Sequence, residues 1–358
     1  MFDFITIGSA TQDIFIESDH GKIMEFRDPS SSDSFLCFEY GAKMEIDKLA
    51  YDIGGGAVNT AVNFSNLGFN TSTIIKLGHD LNTKAVQARL KEKNIDESLL
   101  VFSKKYKTGF SVILTSFEGD RTVLAHRGAN AHLKLDDINW DVVKNSKWVY
   151  IAPLNGDSNA VLDKFAAYAE DHGVSMAFNP GSTQIKRGIE DLRKILMTAE
   201  VLIMNSSEAS QITGIAERND IEEVPECDCQ KHKASKNPFP QDIKEMLIKL
   251  KSYGPKIVVI TEGGRGVTVF DGQTLFFAPP FPAKVLSTLG AGDAFASTFV
   301  ASLEKYRWDI EKAIKLASIN AASIVQHFGA QDGLKNFEDL NKILEEHEDF
   351  SIIKSGVD

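Results

Sequence analysis

The chain has 358 residues, 43% of them apolar and 25% charged, a composition that excludes disordered, collagen-like and membrane-spanning classes. Fifty acidic against 39 basic side chains leave a formal net charge of -11, which excludes a broadly basic surface for collecting nucleic acid or anionic lipid. Three Cys cannot build a disulfide framework, no apolar run approaches the roughly 20 residues that span a bilayer, and the first residues lack a signal-peptide pattern; a reduced, cytoplasmic location is expected.

Short β-rich apolar runs alternate with segments of helical period, the pattern of an α/β protein with a doubly wound, mostly parallel sheet. Strands are predicted over 4–7, 73–76, 148–151, 175–178, 201–204 and 257–261, and helices over 83–93, 159–172, 189–198 and 242–253, with Gly173 and Gly254 placed at helix ends. Two stretches break the rhythm and read as antiparallel ribbon. Residues 110–115 and 122–125 flank the turn Glu118-Gly119-Asp120, and residues 15–53 contain strand-like pieces such as 35–40. Together they predict a small β-sheet lid of residues 14–50 and 106–126, standing off a main domain of residues 1–13, 51–105 and 127–358. Between residues 216 and 241, Cys227, Cys229 and His232 have a spacing unlike that of zinc ligands and lack a second ligand pair, so a polar surface loop is expected there.

Four motifs carry chemistry. Ser287-Thr288-Leu289-Gly290-Ala291-Gly292-Asp293 opens onto a helical stripe of Phe295, Phe299 and Leu303. Small residues at a helix start let backbone N–H groups converge at the positive end of the helix dipole, and Asp293 in the first turn faces the same spot. The plain alternative is an ordinary turn with an Asp that complements the dipole. Gly54-Gly55-Gly56 leads into a helix carrying Asn59, whose carboxamide offers donor and acceptor to hydroxyl groups, with Gly68 at its end. Asp13 follows the first strand, where a carboxylate can accept from a polyol. Asn205 and Glu208 follow another strand and suit either a hydrated Mg²⁺ or a capping box.

In this order and spacing, Gly-Gly-x-x-x-Asn near 55, Asn-x-x-Glu near 205 and Gly-Ala-Gly-Asp near 290 resemble the ribokinase-type (PfkB-type) carbohydrate kinases, over roughly residues 3–340. The resemblance implies an ATP-dependent kinase with Mg²⁺, acting on a hydroxyl, in particular a primary CH2OH, of a monosaccharide or sugar-like compound. It implies Asp293 as general base and Gly290, Ala291 and Gly292 as anion hole. It further implies Asp13, Gly54, Gly55 and Asn59 on the sugar, Asn205 and Glu208 around Mg²⁺ and its waters, and Thr261, Gly263, Gly266 and Asn320 on the nucleotide. Ser287 stands where the family often has the Asp of a monovalent-cation site, which argues against potassium activation. Pro153-Leu154-Asn155 stands where ribokinases carry a substrate-binding Glu, which turns the expectation from ribose toward another sugar, a sugar acid or a nucleoside.

Aromatic residues Phe35, Phe38, Tyr40 and Phe110 in the ribbon offer either a nucleobase platform or a lid-to-lid homodimer interface, and a one-faced apolar ribbon favours the interface. The competing readings are a nucleoside kinase of the same fold and a non-catalytic sugar or nucleotide sensor. The intact Gly-Ala-Gly-Asp loop argues against the sensor. A nicotinamide dehydrogenase is disfavoured because no G-x-G-x-x-G follows the first strand. Expected partners are a sugar-like substrate and ATP, with neither nucleic acid nor membrane.

Overall fold

A computed structural model describes residues 1–17, 21–27, 32–115, 121–218 and 237–356; the Cys227, Cys229 and His232 cluster lies outside them. The central sheet has nine strands in the order Ile353–Gly356, Thr274–Ala278, Val267–Phe270, Ile257–Thr261, Val201–Asn205, Ser175–Phe178, Trp148–Ile151, Phe4–Ile7, Thr71–Ile74. The six from Ile257–Thr261 to Thr71–Ile74 are parallel, and the remaining three are added antiparallel. This is the ribokinase-like α/β architecture expected. The central strands Trp148–Ile151, Ser175–Phe178 and Val201–Asn205 are largely apolar because both faces are covered. Alternate residues serve opposite faces: Ile5, Val149 and Ile151 join one core with Phe165, Leu196 and Leu247. Phe4, Trp148 and Tyr150 join the other, with Phe64, Phe295 and Phe299.

From the first strand the chain runs first to Thr71–Ile74 on one side and later to Trp148–Ile151 on the other. The gap beyond the ends of Phe4–Ile7 and Trp148–Ile151 is therefore the switch point at which doubly wound sheets bind ligands. Gly8 and Ala152 follow these strands so closely that a Cβ on Gly8 would come within 2.9 Å of the Ala152 Cβ.

The second sheet contains four strands in the order Arg121–His126, Gly109–Thr115, Thr11–Glu17, Lys48–Gly54. It differs from the expected ribbon in three respects. It starts at Thr11, so Asp13 is a residue of this sheet rather than of a loop beyond the first strand. The Thr11–Glu17 and Gly109–Thr115 strands pair in parallel; only the two flanking pairs are antiparallel. Residues 35–37 belong to a separate hairpin, Lys22–Arg27 with Ser32–Cys37, because the long excursion between the second sheet's strands closes on itself. Among the helices, Arg193–Thr198 begins four residues later than the periodicity predicted, while Gly173 takes the left-handed cap expected of it, at φ 66°. No described helix is long and apolar enough to cross a membrane.

The Gly56–Asn66 helix lies against Ala291–Lys305 through small and polar residues. At their crossing Asn63, fully buried, donates to Ser297 Oγ at 2.7 Å and Thr298 Oγ1 at 2.8 Å, and accepts from Asn320 Nδ2 at 3.1 Å. A buried carboxamide satisfied on both ends fixes the azimuth of each helix, which apolar packing alone leaves loose. Replacing Asn63 by Ala strands those partners away from water. The expected cost is about 3 kcal/mol, the size of one or two buried polar groups left unpaired, read as a lower urea midpoint at unchanged m-value.

Candidate active site

Gly290 caps the Ala291–Lys305 helix in the left-handed region, at φ 77°, and a Cβ there would lie 2.6 Å from the Ala330 carbonyl oxygen. Glycine is thus required twice over, by backbone conformation and by the neighbouring chain. Gly292 is different: a Cβ on it would meet no protein atom within 4 Å. The helix start is therefore open at Gly292, at the positive end of a four-turn helix, the end whose first N–H groups have no partner within the helix.

Asp293 stands beside that opening. Its Oδ2 accepts from Asn59 Nδ2 at 2.8 Å, and its Oδ1 lies on the side of Gly56, whose missing Cβ would be 3.8 Å away. Burial pushes its pKa up to about 6, and the Asn59 hydrogen bond opposes that rise. Asn59 is itself buried, its Oδ1 accepting from Gln331 Nε2 at 3.0 Å. Tyr150 feels the charge of Asp293, and its hydroxyl is fully buried with no hydrogen-bond partner among the described residues. Burial, with smaller contributions from Asp293 and Glu208, keeps that phenol protonated far above its usual range.

The triple glycine has a physical reason the motif alone did not disclose. A Cβ on Gly54 would collide with Asp13 Oδ2, and one on Gly55, at φ 98°, would come within 2.5 Å of the Ser9 carbonyl oxygen. These glycines let the second sheet, the first strand's end and the Gly56–Asn66 helix meet. Asp13 is buried, hydrogen-bonded by the Thr11 and Ser111 side chains, and shifted upward in pKa by desolvation, with Asp52 across the strand pair adding to it.

On the other side of the switch point, Asn205 and Thr261 are register partners at the ends of adjacent strands. Asn205 Oδ1 accepts from the Glu208 N–H at 2.8 Å and Glu208 Oε2 from the Asn205 N–H at 3.0 Å, a reciprocal capping box. Glu208 is pushed upward in pKa by burial. Its second oxygen remains for a cation or its waters. Gly263, at φ 56°, and Gly264 have open space where a Cβ would stand, whereas Gly266, at φ 108°, is packed against Ala278.

The sequence profile of the pfkB family carbohydrate kinases matches residues 21–336. The chain belongs to that family. A bifunctional ribokinase/ribose-5-phosphate isomerase A from Fructilactobacillus sanfranciscensis is 28% identical over 296 residues, covering 81% of this chain but 49% of that protein's length. A 5-dehydro-2-deoxygluconokinase from Geobacillus kaustophilus is 26% identical over 307 residues, 82% of this chain and 85% of that one. The structure of Arabidopsis thaliana ribokinase complexed with ribose and ATP superposes with a TM-score of 0.76 at 20% identity, covering 96% of this chain and 99% of that one; at that identity the likeness is one of fold. As a PfkB-family carbohydrate kinase, the chain transfers a phosphoryl group to a hydroxyl.

Within the PfkB frame one expected position needs correction. Asn320 is fully buried, donates to Asn63 Oδ1 and to Thr298 Oγ1 at 2.8 Å, and accepts from the Lys335 N–H at 2.9 Å. With both ends of its carboxamide spent in the interhelix network, it offers nothing to an adenine. The sequence reading also missed Gln331, Arg89 and Tyr150. Gln331 is remote in sequence and sits in no motif, so nothing marked it. Glu262, between Thr261 and Gly263, is likewise a structural acid, paired with Arg218 at 2.9 Å and Arg265 at 3.3 Å.

The raised pKa of Asp293 has a consequence for stability. Its folded-state value of about 6 exceeds the unfolded one of about 4. The folded protein is therefore favoured while the group is protonated in both states, and this contribution is lost as pH rises through about 6. Asp293→Asn removes the penalty of a buried charge. The variant is expected to be more stable than the parent by on the order of 1–3 kcal/mol at pH 8, with the gap shrinking below pH 5, in thermal melts across that range.

Proposed function

We propose that this PfkB-family kinase uses ATP and Mg²⁺ to phosphorylate a primary hydroxyl of a monosaccharide or sugar acid, with Asp293 as the general base. The observation that carries the reading is the pairing, in one helix turn, of a partly buried carboxylate with one oxygen held by Asn59 and a helix start that is open at Gly292. The held oxygen fixes the carboxyl plane, and the other is left to accept the acceptor hydroxyl's proton. The backbone N–H groups beside it face where charge spreads over the transferring phosphoryl oxygens, with no reorganisation needed during transfer.

Asp13, Gly54, Gly55 and Asn59 form the sugar side in this reading; Asn205, Thr261, Gly263 and Gly266 form the nucleotide side. Glu208, with Asn205, would hold Mg²⁺ through water. The donor set fits a hard cation, since Glu208 keeps a free carboxylate oxygen and gains an ionised state beside positive charge. When bound, Mg²⁺ neutralises phosphate charge. A sugar acid is supported by the 5-dehydro-2-deoxygluconokinase relative, and a nucleoside less so: in the second sheet Phe110 is the register partner of Gln12, and Ser111 that of Asp13. Phe110 thus shares the face opposite to Asp13 and lies against His126, at 5.3 Å between rings. Exposed Phe26, Phe35, Leu49 and Tyr51 support a homodimer through the lid region, which sedimentation would reveal as twice the chain mass.

The experiment is a phosphate-transfer screen from ATP over sugars, sugar acids and nucleosides, repeated with Asp293→Asn on whichever compound reacts. The variant is expected to lose about 10²–10⁴ in turnover while staying folded; near-parent turnover would sink the reading. For the parent, kcat/KM should fall as pH drops through about 6, because only the carboxylate accepts a proton.

Gly292→Ala separates the anion hole from the fold. Its Cβ meets no protein atom, so the melting temperature should hold or rise slightly, while phosphoryl transfer falls by at least about tenfold because the methyl group occupies the anion's space. Equal activity in that variant would place the transferring group elsewhere.

A further inference from the structure

Asn59 must present its amide nitrogen, not its oxygen, to Asp293, and the two ends of a carboxamide are nearly the same shape. What decides between them lies behind it. Arg89, on the helix Leu81–Glu92, donates through Nη2 to Asp52 Oδ1 at 2.9 Å and through Nη1 to Gln331 Oε1 at 2.6 Å. Gln331, 5% exposed, donates through Nε2 to the Ile53 carbonyl at 2.7 Å and to Asn59 Oδ1 at 3.0 Å. A guanidinium has donors only, and a backbone carbonyl is an acceptor only. Gln331 therefore has one orientation that satisfies both neighbours, with oxygen toward Arg89 and nitrogen toward Ile53. That orientation turns a donor onto Asn59, which must answer with its oxygen, and the Asn59 nitrogen is left facing Asp293.

We propose that Gln331, oriented by Arg89 and the Ile53 carbonyl, is a positioning residue that fixes the carboxamide of Asn59 and thereby holds Asp293 as a hydrogen-bonded carboxylate in the proposed base position. Gln331 and Arg89 stand behind Asn59 and act on Asp293 only through it. Its outer end is anchored on the second sheet, because Asp52 belongs to the strand Lys48–Gly54 and is the register partner of Asp13. The charge state of Asp293 and the seating of that sheet are thus linked through a single line of donors. The inference rests on the reading of Asp293 as base for its catalytic meaning, but the orientation of Asn59 is a statement about the folded protein alone.

The test reads Asp293 directly. With the full chain labelled at the aspartate side-chain carboxyl carbon, the titration of Asp293 is followed by NMR, its signal identified by its loss in Asp293→Asn. Asp293 is hydrogen-bonded by Asn59 and interacts electrostatically with the Tyr150 phenol, which also feels Glu208, and all three residues remain in the variants used. In Gln331→Leu the donor behind Asn59 disappears and its carboxamide is free to turn. In Gln331→Glu, Arg89 still pairs with the side chain, but the new acceptor calls the Asn59 nitrogen away from Asp293.

The Asp293 midpoint should rise by about half a unit in the Leu variant and about one unit in the Glu variant, the size of losing part or all of one hydrogen bond to a charge. The neutral Leu variant separates orientation from added charge, and it covers the case in which the Glu variant does not fold. Arg89→Met, which leaves the Ile53 carbonyl in place, should shift the midpoint less than either. On the substrate found by the screen, the acid limb of kcat/KM should move with the NMR midpoint. A folded Gln331→Leu with an unshifted midpoint overturns the proposal. A shifted midpoint without a matching kinetic limb leaves the relay standing and counts against Asp293 as the base.

Discussion

The hydrogen bond from Asn59 to Asp293 is the constraint on which the site's design turns. A carboxylate enclosed by protein pays for lost hydration by holding its proton more tightly, and at a pKa of about 6 it sits near enough to neutrality to be both ionised and basic. One donor is enough to keep it ionised. Two or three would fix it as a weak base, and none would let burial carry it higher still. The fold supplies one because Asn59 and Asp293 stand on the first turns of two helices that cross closely, and the crossing is held by Asn63 one turn further along. The same small-residue crossing makes the site and stabilises the helix pair.

Negative charge and phosphate handling look opposed in a chain with a net charge of -11. The geometry removes the conflict. Positive potential is needed only at the Ala291–Lys305 N-terminus, where backbone dipoles provide it. Among the described residues, Arg89 is committed to Asp52 and Gln331, and Arg218 to Glu262. A free cation beside Asp293 would lower its pKa and weaken it as a base. The acidic balance is therefore compatible with the chemistry and helps preserve it.

Much of the fold is legible in the sequence. Strand positions such as 148–151 and 175–178 could be read because each is a short, largely apolar run between breaking residues, Lys147 and Pro153 for the first and Gly173 and Asn179 for the second, and Gly173 because helices end on left-handed glycines. The motif residues Asp13, Asn59, Asn205, Glu208 and Asp293 could be located because their chemistry is local to a helix start or a strand end. Their reasons were less visible. Gly54 reads as a place for a ligand to approach, and the nearest atom to its missing Cβ is Asp13 Oδ2. Asn320 reads as a pocket residue, yet lies in a buried carboxamide network whose other members are 22 and 257 positions away. A single Gln or Asn in a sequence does not announce which distant partner it will meet.

The second sheet also takes on a more specific role than that of a cover. Asp13 and Asp52 are register partners on adjacent strands, but their side chains do different work. Asp13 packs over Gly54 with the hydroxyls of Thr11 and Ser111, whereas Asp52 reaches Arg89 on a helix of the main domain. Asp52 lies two residues before Gly54 and Asp13 stands against its missing Cβ, and Gly54 leads directly into the helix bearing Asn59. A movement of the Lys48–Gly54 strand relative to the main domain would draw on the Asp52 to Arg89 pair at one end and on the Asp13 to Gly54 contact at the other. The two contacts bracket the short connection from Gly54 to Asn59, so the position of the sheet and the orientation of the Asn59 carboxamide against Asp293 are coupled.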